Sequence, residues 1–203
     1  IRFVWDLIMA ANYHFIDRTV VPSGGVTEVN VAVPSSSTTP SNGTYKHLFL
    51  WGEVCSDSSS AQRCDLLFRF NGDFGSNTYR HNNAHQVNEF TSATRYAYTG
   101  QTNVPIKDLP CVGHSNIHED HRMYIRIYVP HAWSTTQQKC MFQENGSVQI
   151  ESGSGGAASR VWTSGLGCSR YYTTSKVSSL DFVAESGDIG EGSVFDLYGI
   201  SVN

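Results

Sequence analysis

Leu67-Phe68-Arg69-Phe70-Asn71-Gly72-Asp73-Phe74-Gly75-Ser76-Asn77 lies near the middle of a 203-residue chain, and Gly192-Ser193-Val194-Phe195-Asp196-Leu197-Tyr198-Gly199-Ile200 lies at its end. In each, a run of apolar and aromatic residues adjoins Asn, Gly or Asp, which accept positive φ or bond to their own backbone. Both therefore read as a strand joined to a turn. Neither carries a catalytic signature.

The same grammar repeats outward from these two stretches. Segments rich in β-branched and aromatic residues predict strands at 3–8, 13–21, 26–33, 46–54, 65–70, 122–129, 139–144, 147–152, 159–166, 177–184 and 193–202. Turn signals separate them, among them Pro22-Ser23-Gly24-Gly25, the Ser/Thr/Pro tract at 34–43 and the Gly-rich stretch at 187–192. Ile125 and Ile127 alternate with Tyr124, Arg126 and Tyr128, as a strand with one buried face requires. Lys139 to Glu144 followed by Asn145-Gly146 predicts a hairpin with a type I′ turn. The region 76–115 is polar and broken by Gly100, Pro105, Pro110 and Gly113, so it reads as a long loop excursion with only brief strands such as 95–98. No segment keeps a helical period. The expectation is an all-β, single-domain β-sandwich over residues 1–203, with the excursion as its contact-bearing loop.

Composition agrees with that class. Hydrophobic residues make up 39% and aromatics 12%, enough for a packed interior, whereas only 16% are charged. A net charge of −4 with scattered Lys and Arg gives no footprint for nucleic acid. No apolar run approaches the ~20 residues that span a bilayer, so no membrane span is expected.

Candidate chemistry is sparse. Asp73-Phe74-Gly75 matches a kinase metal triplet, but no His-Arg-Asp catalytic loop or Gly-rich loop accompanies it. Gly153, Gly155 and Ala158 fit a dinucleotide fingerprint that runs into a strand instead of a helix. His114, His118 and His121, with Cys111, Glu119 and Asp120 nearby, form the one metal-like cluster; a solvated His-rich loop is the simpler account. Asn71, Asp73 and Asn77 alternate as calcium ligands do, with too few carboxylates to hold the ion. No GxSxG elbow is present, and no pair of carboxylates stands in a glycosidase pattern. Neither a cofactor nor enzymatic activity is expected. Among the aromatics, Tyr79, Tyr96 and Tyr98 in the excursion are candidates to stack on a glycan or a partner. Cys55 and Cys64 would end one strand and begin its neighbour, which makes them the candidate disulfide among five cysteines; reduced thiols are the alternative.

Taken in order, Trp5-Asp6-Leu7-Ile8, Tyr45 to Leu50, Leu67 to Asn77, Trp133 to Lys139, Val177 to Phe182 and Gly192 to Ile200 resemble a family of tailed-phage virion structural proteins of tail or capsid-decoration type. The sequence departs from that pattern at Phe74, where a small hydroxyl residue is expected, and in its His-rich insert and cysteines. The resemblance implies a jelly-roll sandwich, a location on the virion surface and no catalytic residues. On that basis the chain is expected to cement a capsid, with itself as a homotrimer and the major capsid protein as partners. The alternatives are a receptor- or glycan-binding tail module and, third, a carbohydrate-active enzyme.

Overall fold

The computed structural model describes residues 12–35, 45–75, 79–87, 93–115, 117–152 and 158–201. Among them no helix occurs, and twelve strands form two antiparallel sheets. The strands are β1 (Asn12–Val20), β2 (Glu28–Ala32), β3 (Tyr45–Val54), β4 (Arg63–Phe70), β5 (Tyr79–Val87), β6 (Ala93–Gln101), β7 (Val104–Pro110), β8 (Met123–Val129), β9 (Lys139–Ser152), β10 (Ala158–Tyr171), β11 (Ser179–Ala184) and β12 (Val194–Ser201). One sheet has eight strands in the order β1-β12-β3-β8-β9-β10-β5-β6; the other has four, β2-β11-β4-β7.

The alternation of β3 and β8 shows why these segments are strands. Leu48, Leu50, Ile125 and Ile127 point inward and are buried, while Phe49, Trp51, Tyr124 and Arg126 point out. The four-stranded sheet returns Phe68, Phe70, Leu180 and Phe182 to the same core. Rings of Phe182 and Phe195 meet at 4.7 Å and Phe70 stacks on Tyr171 at 5.3 Å, each pair joining one sheet to the other.

Both opening stretches are framework. Asn71 and Gly72 take φ of 58° and 61°, the left-handed conformation that Asn and Gly tolerate best. The turn is pinned from several sides. Asn71 Oδ1 accepts from the Ser178 amide at 2.7 Å, buried Asp181 accepts from the Gly72 amide at 2.6 Å, and Tyr171 donates to Asp73 at 2.8 Å. Phe74 sets its ring 3.8 Å from the Arg69 guanidinium, a cation–π contact that a small hydroxyl residue could not make. At the other end, β12 lies between β1 and β3, and buried Asp196 takes both nitrogens of the Arg18 fork at 2.7 Å.

Two expectations are corrected. Region 76–115 is not a loop excursion: it supplies β5 and β6, which widen the large sheet, and β7, which closes the small one. On β5 the inward positions after Tyr79 are polar, His81 and Asn83, so the apolar alternation that announces a strand is missing there. Asn145-Gly146 makes no turn either, because β9 runs through it without a break. The Asn145 side chain is buried and donates to the Lys107 carbonyl at 3.0 Å, and Gly146 passes under the Tyr124 ring, where a Cβ would come within 2.9 Å. The predicted strand at 3–8 lies outside the described residues.

Candidate functional site

A two-sheet protein is expected to turn polar residues outward. The outer face of the large sheet does the opposite. Register pairing places Phe15 (β1), Tyr198 (β12), Phe49 (β3), Tyr128 (β8) and Phe142 (β9) side by side in one row across five strands. Neighbouring rings touch: Phe15 and Tyr198 at 5.7 Å edge-on, Phe49 and Tyr198 at 6.2 Å, and Tyr128 and Phe142 nearly parallel at 6.4 Å. Tyr13 closes edge-on against Phe49 at 5.7 Å. Phe15 keeps 56% and Phe142 49% of its surface exposed, so the row is open to contact and is not a second core.

Beyond Phe142 the row continues with small side chains, Cys168 on β10, Asn82 on β5 and Ala97 on β6. They line a shallow depression of about 490 Å³ together with Ala84 and Leu166. One flanking row holds two ion pairs, Arg18 with Asp196 and Arg126 with Glu144 at 3.4 Å, and the other holds exposed Arg170 and Arg80 side by side. Sheet spacing fixes these positions, so the face is rigid. What it can do is bind.

The candidates from the sequence fall elsewhere. Tyr79 is fully buried, stacked on Tyr171 at 5.1 Å, and its hydroxyl accepts from the Phe70 amide at 2.8 Å. Burial pushes its hydroxyl pKa up, and it cannot reach a glycan. Tyr96 and Tyr98 lie on β6, with side chains outside the described residues. Rings of His118 and His121 approach to 5.8 Å, and His118 Nδ1 accepts from the Asp120 amide at 3.3 Å. Burial, then the neighbouring His118, lowers the His121 pKa. His114 belongs to the turn before them, its amide bonded to the Cys111 carbonyl at 3.1 Å. Among the described residues no three metal-ligating side chains converge. Asp73 accepts from the Gly75 amide at 2.8 Å, which is turn chemistry, and Asn77 lies outside the described residues.

The Cys55–Cys64 bridge is not formed; all five cysteines are free thiols. The reason is topological. Cys55 follows β3 in the large sheet and Cys64 begins β4 in the small one, so the two strands never pair as a hairpin. Cys55 Sγ lies 3.7 Å from Ser193 Oγ, whereas Cys64 directs its thiol toward the Ser186 carbonyl and toward Cys111.

The row was missed in the sequence because its members come from five separate strands. Each aromatic looks like an ordinary strand residue, and only the register brings them together.

No family model matches the chain, and no curated protein is similar to it. Among solved structures, the CBM2 module of the evolved Dit of Lactobacillus casei BL23 phage J-1 is similar at TM-score 0.24 and 7% identity, covering 95% of this chain and 80% of that one. Infectious bursal disease virus Gx strain is similar at TM-score 0.12 and 14% identity over 94% of this chain and 40% of that chain. Likenesses of this size carry no inference about fold or activity.

Proposed function

We propose that this chain is a structural protein of the virion surface, of the capsid-decoration kind, which works by binding and catalyses no reaction. The observation that carries the proposal is the exposed aromatic row on the outer face of the large sheet. A rigid, catalytically bare surface of this kind suits subunit contact.

The strand order supports the scaffold part of the reading. β1-β12-β3-β8 against β2-β11-β4-β7 is the pattern of an eight-stranded jelly roll, with β5–β6 and β9–β10 inserted as hairpins that extend one sheet. Jelly rolls recur in viral capsid and lectin domains. The ordered motifs that resemble phage virion proteins point the same way, and the most recognisable of them, Asn71-Gly72-Asp73, is built into the framework.

The test is co-sedimentation of the purified chain with particles assembled without it. Saturable binding and a higher particle melting temperature are expected, because a ligand of the assembled state alone stabilises that state. Phe15→Ser with Phe142→Ser should abolish both while leaving the chain folded. Binding of the double variant at wild-type strength would overturn the role of the face. Glycan-array binding without particle binding would move the protein to the tail-module class.

A further inference from the structure

The sheet face that carries the aromatic row has no cover within the described chain. Seven strand spacings of ~4.8 Å make it ~34 Å wide, and three side-chain rows make it ~20 Å deep, a footprint of ~700 Å². A stable interface takes ~800 Å² from each partner, and side-chain relief adds to a flat footprint. The face is therefore the size of a whole interface. Its pattern also fits one, with an uncharged aromatic centre and a charged rim.

We propose that the partner seated on this face is a second copy of the chain, packed sheet against sheet about a two-fold axis parallel to the strands between β8 and β9. This deepens the assembly reading and rests on it: the outer face joins two copies, the pair meets the particle through its remaining surfaces, and loss of the face abolishes particle binding by dissolving the pair. Three features select the occupant and the axis. First, Arg18–Asp196 and Arg126–Glu144 neutralise one flanking row, and an axis along the strands lays Arg170 and Arg80 of the other flanking row, on β10 and β5, over β3 and β12 of the second copy and away from their own counterparts.

Second, the row is asymmetric along its length. Phe15, Tyr198, Phe49 and Tyr128 form a ridge on β1, β12, β3 and β8, while the depression lined by Leu166, Cys168, Asn82 and Ala97 occupies β10, β5 and β6. An axis along the strands lays each ridge over the other copy's depression, and large side chains fill the space that small ones leave. An axis along the row would set ridge on ridge and leave two empty depressions.

Third, the strand-parallel axis brings Phe142 of each copy against Tyr128 of the other. That is the centre of the patch, where aromatic anchors contribute most to an interface. A face that meets itself is isologous and closes at two copies. A trimer would need a separate contact on another surface.

Sedimentation equilibrium of the full chain should give a dimer. Phe142→Asp puts two carboxylates beside the axis and is expected to weaken self-association at least ~100-fold, as desolvated like charges at an interface do. Its circular dichroism should stay near wild type, since Phe142 is half exposed, while its melting temperature should fall and lose its dependence on protein concentration as the dimer is lost. Orientation is read with a short bis-maleimide. In a Cys140→Ser background, needed because the half-exposed Cys140 thiol lies on this face beside the axis, Phe49→Cys should give a covalent dimer through the other copy's Cys168, and Cys168→Ser should abolish it. Should Phe49→Cys disturb packing, Phe15→Cys with Ala97→Cys reports the same axis at the rim.

A monomeric wild-type chain, or a Phe142→Asp dimer of unchanged strength, overturns the proposal. Cross-linking of the unsubstituted chain through Cys168 to Cys168 overturns the axis. A monomer that still binds particles sinks this inference and leaves the virion role standing. A dimer that binds no particle does the reverse.

Discussion

Lowering the pH from about 7.5 to about 4.5 brings protons to every histidine of the unfolded chain, whose ordinary value is near 6.5. His81 in the folded protein resists them. Its side chain is fully buried on the inner face of β5, with Nδ1 2.7 Å from Ser169 Oγ. Burial, then the positive charge of Lys107, holds its pKa down at about 4. Because the folded value lies below the unfolded one, the unfolded chain binds the extra proton first and stability falls as pH drops from 6.5 toward 4. Linkage makes the loss about 2.5 kcal/mol at pH 4.5, approaching about 3 kcal/mol below both values. Urea unfolding of the wild type and of His81→Gln at the two pH values measures it. The variant is expected to be weaker at neutral pH, having lost the Ser169 contact, and to lose about 2.5 kcal/mol less on acidification. Lowered values at His47 and His121, both caused first by burial, leave a residual slope in both proteins. Equal pH slopes for the two would refute the assignment to His81.

Other perturbations separate polar groups that hold the interior from those that burden it. Gln143 is buried with neither amide atom partnered, so Gln143→Leu should leave stability unchanged or raise it by about 1 kcal/mol in urea titration, whereas Asn145→Leu loses its bond to Lys107 and should cost about 1–3 kcal/mol. The Lys139 ammonium is fully buried and donates to the carbonyls of Ser134 at 2.5 Å, Gln137 at 2.8 Å and Thr174 at 3.4 Å. Lys139→Met should cost about 3 kcal/mol in thermal unfolding, because those carbonyls lose a charged donor. Asn71→Ala removes the acceptor for the Ser178 amide from a left-handed residue and should cost about 2 kcal/mol, with Asn71→Gly less damaging in the same denaturation assay.

How much of this was legible in the sequence depends on which side chains face inward. Leu48 and Leu50, Ile125 and Ile127, and Phe68 and Phe70 advertise their strands through alternation, and the boundaries of β3, β4 and β8 fall within a residue or two of expectation. β5 carries His81 and Asn83 at the equivalent positions, and neither periodicity nor β propensity marks it. Asn145-Gly146 was misread because local turn preference was the only signal, and the partners that override it, β8 and β10, are distant in sequence. Cys55 and Cys64 show the same limit: closeness in sequence says nothing about which sheet a strand joins. The binding face was the least legible feature, since it exists only as a product of register among five strands.

Both departures from ordinary alternation belong to the same sheet. It has eight strands where its partner has four, so its inner face beyond β8 extends past the apolar core. There the chain turns polar: Gln143, Asn145, Thr163, Ser169, His81 and Asn83 are buried, with β7 lying against β5, β9 and β10. Gly165 and Gly167 make room, since a Cβ on either would run into the Asn145 or Gln143 amide. This inward polarity is expected to weaken the fold, through the lowered pKa of buried His81 and the unpartnered Gln143 amide. The outward aromatics add only the modest gain of cross-strand ring contacts in the isolated chain, because Phe15 and Phe142 leave about half their surface in water. A sequence that breaks local rules without a gain in stability does so where function lies. Past Tyr79, Met141 and Tyr171, which still join the apolar core, the hairpins β5–β6 and β9–β10 carry the sheet beyond its partner over a polar interior. Their effect is to double the width of the outer face, and width is what a flat binding surface requires.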